Sequence, residues 1–128
     1  MTIRQAETAD DIEELQGLFR EYEAWLGLSL CFQGFEEELA TLPGKYAPPE
    51  GRLYLASVDG EAAGCIALRS LGDGICEMKR LYLRDSARGL GLGRRLIEQV
   101  IADAREIGYH KMRLDTYPPK MGKAVSLY

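Results

Sequence analysis

The stretch that decides the fold is Cys76-Glu77-Met78-Lys79-Arg80-Leu81-Tyr82-Leu83, followed after a short link by Arg88-Gly89-Leu90-Gly91-Leu92-Gly93-Arg94-Arg95. The first run is a strand candidate. The second is a glycine-rich turn opening into a helix, for Leu92, Leu96, Ile97, Val100, Ile101, Ala104 and Ile107 form one apolar stripe at helical spacing. Gly108 is a good helix stop. Met112 to Thr116 is the next strand. A helix between two strands makes a crossover, so Cys76–Leu83 and Met112–Thr116 are expected to be parallel neighbours.

Upstream of this unit the sequence predicts an antiparallel meander. Arg52–Val58 is a strand, Asp59-Gly60 a turn, Ala62–Leu71 a second strand and Gly72-Asp73-Gly74 a second turn. Further back, Ile3–Gln5 is a short strand and Thr8 caps a helix carrying Ile12, Leu15, Leu18, Phe19, Tyr22, Trp25 and Leu26. Phe35–Thr41 is a second short helix, stopped by Pro43-Gly44, and Pro48-Pro49 makes the next stretch a loop. Lys123–Tyr128 reads as the start of another helix.

Size and composition bound the function. The 128 residues fit one domain, taken as 1–128. A net charge of −4 gives no reason to expect nucleic-acid binding. No apolar run or signal-like start points to a membrane, so a cytoplasmic protein is expected. Cys31, Cys65 and Cys76 form no CxxC pair, and His110 is the single histidine, so no metal site is expected. Cys65 and Cys76 read as buried small hydrophobes, since a nucleophilic cysteine would need a histidine partner. His110 opens a strand and reads as a surface residue.

The turn is an anion site by construction. Amides at a helix start lack internal partners, the helix dipole adds positive potential, and glycine lets backbone approach a phosphate. Arg88, Arg94 and Arg95 add charge, so a pyrophosphate is the natural occupant. A dinucleotide fingerprint would place its third glycine at Arg94, and its sheet would begin with this strand rather than with a meander. Asp115 imitates that fold's ribose-binding acid, which keeps a Rossmann-like nucleotide binder as one reading. A Walker loop is excluded because no Gly-Lys-Ser/Thr follows. A merely tight strand-to-helix turn is the bland reading.

Arg88-x-x-Gly91-x-Gly93 resembles the Q/R-x-x-G-x-G/A motif of the GNAT acetyltransferase superfamily. Ala124-Val125-Ser126-Leu127-Tyr128 resembles that family's A-x-x-L-Y element, although Met121 stands where an asparagine is common. The resemblance covers nearly the whole chain in order. It implies an α/β (α+β) fold with an antiparallel meander, a splayed parallel strand pair, usually with a bulge, and flanking helices. It also implies acetyl-CoA as acyl donor and the primary amine of a small molecule or peptide as acceptor.

Carried over by position, the amides of Arg88, Gly89, Leu90, Gly91, Leu92, Gly93 and Arg94 would hold the pyrophosphate. The strand edge at Leu81 and Leu83 would bind pantetheine, with an amide near Leu81 polarising the acetyl carbonyl. Glu77 stands where some members carry a catalytic glutamate; it also reads as a strand residue paired with Lys79 or an arginine. Tyr128 matches the family's tyrosine acid; it also reads as a helix residue packing in the core. Tyr22 and Trp25 are core by spacing and weak candidates for substrate contact. The family continues through a Gly-Phe pair into two further strands, which this sequence lacks. The reading is therefore of a C-terminally truncated fold whose Met112–Thr116 strand offers an open edge for a second copy. A coenzyme-binding module with little catalysis is the alternative from another class.

Overall fold

A computed structural model describes residues 2–26, 35–87, 89–114 and 124–126. Its elements run β1 (Thr2–Gln5), α1 (Ala9–Leu26), α2 (Phe35–Thr41), β2 (Arg52–Val58), β3 (Glu61–Gly72), β4 (Ile75–Leu83), α3 (Leu92–Ile107), β5 (Lys111–Leu114) and β6 (Ala124–Ser126). They form one sheet in the order β1-β2-β3-β4-β5-β6. β2 to β4 are the expected antiparallel meander, and β1 adds antiparallel to β2 at its edge. The α3 crossover makes β4 and β5 parallel, pairing Ile75 with Lys111 through Met78 with Leu114.

Alternation along β3 shows why helices cover both faces. Ile66 and Leu68 point to one side, into a core with Leu92, Leu96, Val100 and Ala104 of α3. Cys65 and Ala67 point to the other, into a core with Leu15, Leu18 and Phe19 of α1 and Phe35 and Leu39 of α2. The start of α1 is held by a reciprocal cap. Thr8 Oγ1 accepts from the Asp11 amide at 3.1 Å, while Asp11 Oδ2 accepts from the amides of Glu7 and Thr8 at 3.0 and 3.2 Å. Among the described residues no helix is long and apolar enough to cross a membrane.

The expectations for the last segment are corrected here. Ala124–Ser126 is a strand, not the first turn of a helix. It pairs antiparallel with β5 in the register Lys111↔Ser126, Met112↔Val125 and Arg113↔Ala124. The edge expected to lie open at β5 is therefore covered within the chain, which removes the premise for a second copy docking there. The physical reason is that an unpaired row of strand amides and carbonyls gains more from a neighbouring segment than a short isolated helix gains from itself. Residues 115 and 116, assigned above to the β5 strand, lie outside the described residues.

Candidate active site

β4 is not a regular strand. Against β3, Cys65 faces Tyr82 and Ala67 faces Lys79, so β4 carries an extra residue between those pairs. Arg80 takes it up in the left-handed conformation, at φ +60. The other described non-glycine residues with positive φ, Asp59 and Asp73, are in hairpin turns. The bulge inverts the side-chain alternation. Cys76 and Met78 face α3, and after the extra residue Leu81 and Leu83 face α3 again, while Tyr82 packs toward α1.

Arg80 turns its side chain to the α1–α2 face and is fully buried there. Its Nε and Nη2 donate to the two oxygens of Glu38 on α2, each at 3.0 Å. The rings of Tyr22 and Phe35 lie 5.8 and 5.4 Å from the guanidinium carbon. Burial works against the Glu38 carboxylate, yet the Arg80 hydrogen bonds and charge hold its pKa below the usual range. Lys45 Nζ lies 3.5 Å from the same carboxylate. The main-chain oxygen of Arg80 accepts from the Cys65 thiol at 3.2 Å. In a trans peptide the N–H points opposite to the C=O, so the Leu81 amide is directed away from Cys65.

The ladder described between β4 and β5 ends at Met78↔Leu114, and β4 continues to Leu83. The chain then turns through Asp85–Ala87 toward α3. Arg84 ties this exit to α1, its Nη2 lying 2.7 Å from Glu21 Oε2, and its amide donates to the Ala63 oxygen at 2.8 Å. Gly91 is the N-cap of α3 at φ +79 and offers no side-chain cap, and the first turn holds no acid. Gly93 serves close packing instead, since a Cβ there would lie 3.2 Å from Leu83 Cδ1. Leu92 is buried and anchors the helix start, while Leu90, Arg94 and Arg95 are exposed. Arg94 reaches Glu98 at 3.2 Å across the surface. A glycine-built, uncapped helix start with exposed arginines fits a diphosphate.

The remaining predicted site residues fall as follows in the fold. Glu77 lies on the stretch of β4 still paired to β5, opposite Arg113. Its Oε1 accepts from Arg69 Nε at 2.8 Å and lies 4.0 Å from Lys79 Nζ. Arg88 and Tyr128 lie outside the described residues, as does Cys31. Tyr22 is buried against Arg80, whereas Trp25 is 55% exposed. Burial pushes the Cys65 thiol pKa up, and that of Cys76 to about 11, as expected of inert core cysteines. His110 is exposed, and its amide donates to the Gly74 oxygen at 2.8 Å.

Three residues near the bulge were not anticipated. Tyr82 joins Tyr22 and Trp25 in an aromatic group, with ring centroids 6.3 and 6.1 Å from them. Arg80 and Glu38 form the buried pair. The signals were present: the apolar spacing slips from two to three between Met78 and Leu81, and Glu38 shares the buried face of α2 with Phe35 and Leu39.

The profile of the acetyltransferase (GNAT) family matches residues 12–128. An uncharacterized N-acetyltransferase of Schizosaccharomyces pombe is 38% identical over 130 aligned residues, covering all of this chain and 79% of that protein. A crystal structure of a GNAT-family acetyltransferase from Staphylococcus aureus superposes with a TM-score of 0.76 over 90% of this chain and 73% of the other, at 19% identity. An aminoglycoside 6'-N-acetyltransferase complexed with coenzyme A superposes with a TM-score of 0.69 over 89% of this chain and 61% of the other, also at 19% identity. At that identity the two structures speak for the fold. The bulged β4, the glycine turn and the profile match agree, and the chain belongs to the GNAT acetyltransferase family.

Proposed function

We propose that this protein transfers an acetyl group from acetyl-CoA directly to a primary amine of a small molecule or peptide. The observation that carries the proposal is the uncapped, glycine-built start of α3 immediately after a bulged strand. Acetyl-CoA supplies the activated thioester. The amides from Arg88 to Arg94 hold its pyrophosphate, and the edge at Leu81 and Leu83 binds pantetheine as an added strand. The Leu81 amide, directed away from Cys65, polarises the acetyl carbonyl. The aromatic group of Tyr22, Trp25 and Tyr82 lines the acceptor side.

Proton handling is assigned to two residues. An amine arrives as an ammonium and must lose a proton before it attacks, and the leaving thiolate gains one. Glu77 takes the first proton, directly or through water, and Tyr128 supplies the second. One observation favours a second reading, a coenzyme-binding module with little catalysis: Glu77 is already engaged by Arg69 and Lys79.

Thiol release from acetyl-CoA over a panel of amines separates the two. The enzyme reading expects amine-dependent release that falls by about 10²-fold or more in Glu77→Gln, with CoA affinity unchanged. CoA binding without amine-dependent release, unaltered in Glu77→Gln and Tyr128→Phe, sinks the enzyme reading and supports the module.

A further inference from the structure

We propose that the buried Arg80–Glu38 pair is a positioning device, which fixes the β4 bulge at residue 80 and thereby aims the Leu81 amide. The proposal rests on the acetyl-transfer reading for the purpose of that aim, but not for the existence of the lock.

A bulge is required somewhere in β4, because Met78 and Leu81 must both face α3. That requirement does not say which residue takes the left-handed conformation, and an arginine is a poor choice. Glycine and asparagine adopt positive φ readily, whereas other side chains are strained there by their Cβ. What distinguishes position 80 is its side chain. In the observed conformation the guanidinium reaches the α2 face and makes two hydrogen bonds to Glu38 at 3.0 Å. Tyr22 and Phe35 flank it. Returning residue 80 to the extended region would swing its side chain away from Glu38 and leave a buried carboxylate without its bidentate partner.

The pair also joins two parts of the molecule. Glu38 is held by α2, which is anchored by Phe35 and Leu39 in the core shared with α1. Arg80 is held from the other side by its own carbonyl, which accepts from Cys65 on β3. Both the side chain and the carbonyl of residue 80 are thus held, and the direction of the Leu81 N–H, opposite to that carbonyl across the trans peptide, follows. Buried ion pairs contribute little net stability compared with apolar replacements, and their best-attested use is to select one arrangement over its alternatives.

The test compares wild type with the double variant Glu38→Leu/Arg80→Leu, which removes both charges together. Crystal structures give φ at residue 80, and steady-state kinetics on the best amine give kcat and the KM for acetyl-CoA. The expected result is residue 80 at negative φ with a shifted bulge, kcat lower by about tenfold to hundredfold, and acetyl-CoA KM within about threefold. Arg80→Lys, which keeps the charge without the fork, should recover part of kcat. If the double variant does not fold, Glu38→Gln is the substitute, with the same fall in kcat and a shifted Leu81 amide resonance expected. A residue 80 still at positive φ, or an unchanged kcat with an unmoved Leu81 amide, overturns the proposal. A wild type that binds CoA yet acetylates no amine refutes the acetyl-transfer reading, and the crystal structures then decide the lock by themselves.

Discussion

One chemical change should have opposite effects at two glycines. Gly17 lies on the exposed side of α1, with nothing within 4 Å of the position a Cβ would occupy and an ordinary helical backbone. Alanine there lowers the entropy of the unfolded chain and raises helix propensity, which stabilises by about 0.5–1 kcal/mol. Gly91 has the same open surroundings, but its backbone is left-handed at φ +79 and ψ 6. Alanine there gains the same unfolded-state term and loses roughly 1–2 kcal/mol to the backbone, for a net loss of about 1 kcal/mol. For a domain of 128 residues each kcal/mol moves Tm by about 3–5 °C.

Thermal unfolding of Gly17→Ala and Gly91→Ala is therefore expected to shift Tm upward in the first and downward by about 3–5 °C in the second. Isothermal titration with CoA adds a second axis. Gly17→Ala should bind as wild type does. Gly91→Ala should bind more weakly by about tenfold, because its Cβ would project beside the amides proposed to hold the diphosphate. Equal Tm shifts of the same sign would refute the left-handed cap. An unweakened affinity in Gly91→Ala, with the Tm loss intact, would move the coenzyme away from this turn.

Three further outcomes are expected. The Asp11 carboxyl is held at about 2, chiefly by its hydrogen bond from Arg4 and against its burial, with help from the amides of Glu7 and Thr8. A depressed folded pKa adds stability that is fully present above the unfolded value near 4 and is lost as pH falls through the folded value. Urea unfolding between pH 5 and pH 2 should therefore show a loss of about 1–2 kcal/mol that Asp11→Asn abolishes, discounted for the half-exposed Arg4; identical pH slopes would refute it. Cys65 and Cys76 should resist iodoacetamide in the native protein at pH 8 and react in urea, as read by peptide mass mapping that separates them from Cys31, and native alkylation at either would contradict their burial. Trp25→Ala should raise the acceptor KM severalfold with the acetyl-CoA KM and Tm nearly unchanged, since its ring is largely exposed and touches Tyr22 and Tyr82; a changed acetyl-CoA KM would place it elsewhere.

The legible parts of this fold were those written locally. Asp59-Gly60 and Gly72-Asp73-Gly74 mark their turns by residue type, and β3 and β4 begin or end within a residue of where those turns put them. The α3 stripe is long enough for its period to be unmistakable, and Gly91 and Gly108 bracket it. Ala124–Ser126 was misread because three residues cannot distinguish a helical period from an alternating one, and the deciding partner, β5, is a tertiary neighbour. Arg80 and Glu38 each carry a local signal, the slipped spacing in β4 and the buried face of α2, but their pairing was out of reach for a related reason. The partners are 42 positions apart, and either residue alone is an unremarkable surface type.

The bulge itself was readable, and energetics says why it must form. Apolar side chains stand at 76, 78, 81 and 83, and a regular strand would send the last two to the opposite face from the first two. Keeping all four on the α3 side requires one extra residue between Met78 and Leu81. Two leucines packed against the α3 core stabilise by about 3 kcal/mol or more even when partly buried, which exceeds the roughly 1–2 kcal/mol of backbone strain at one left-handed residue. Burial therefore fixes that β4 is interrupted, and the ion pair with α2 selects the residue at which the interruption falls. On this account the amide proposed to act on the acetyl carbonyl is oriented by core packing on one face of the sheet and by a charge pair on the other.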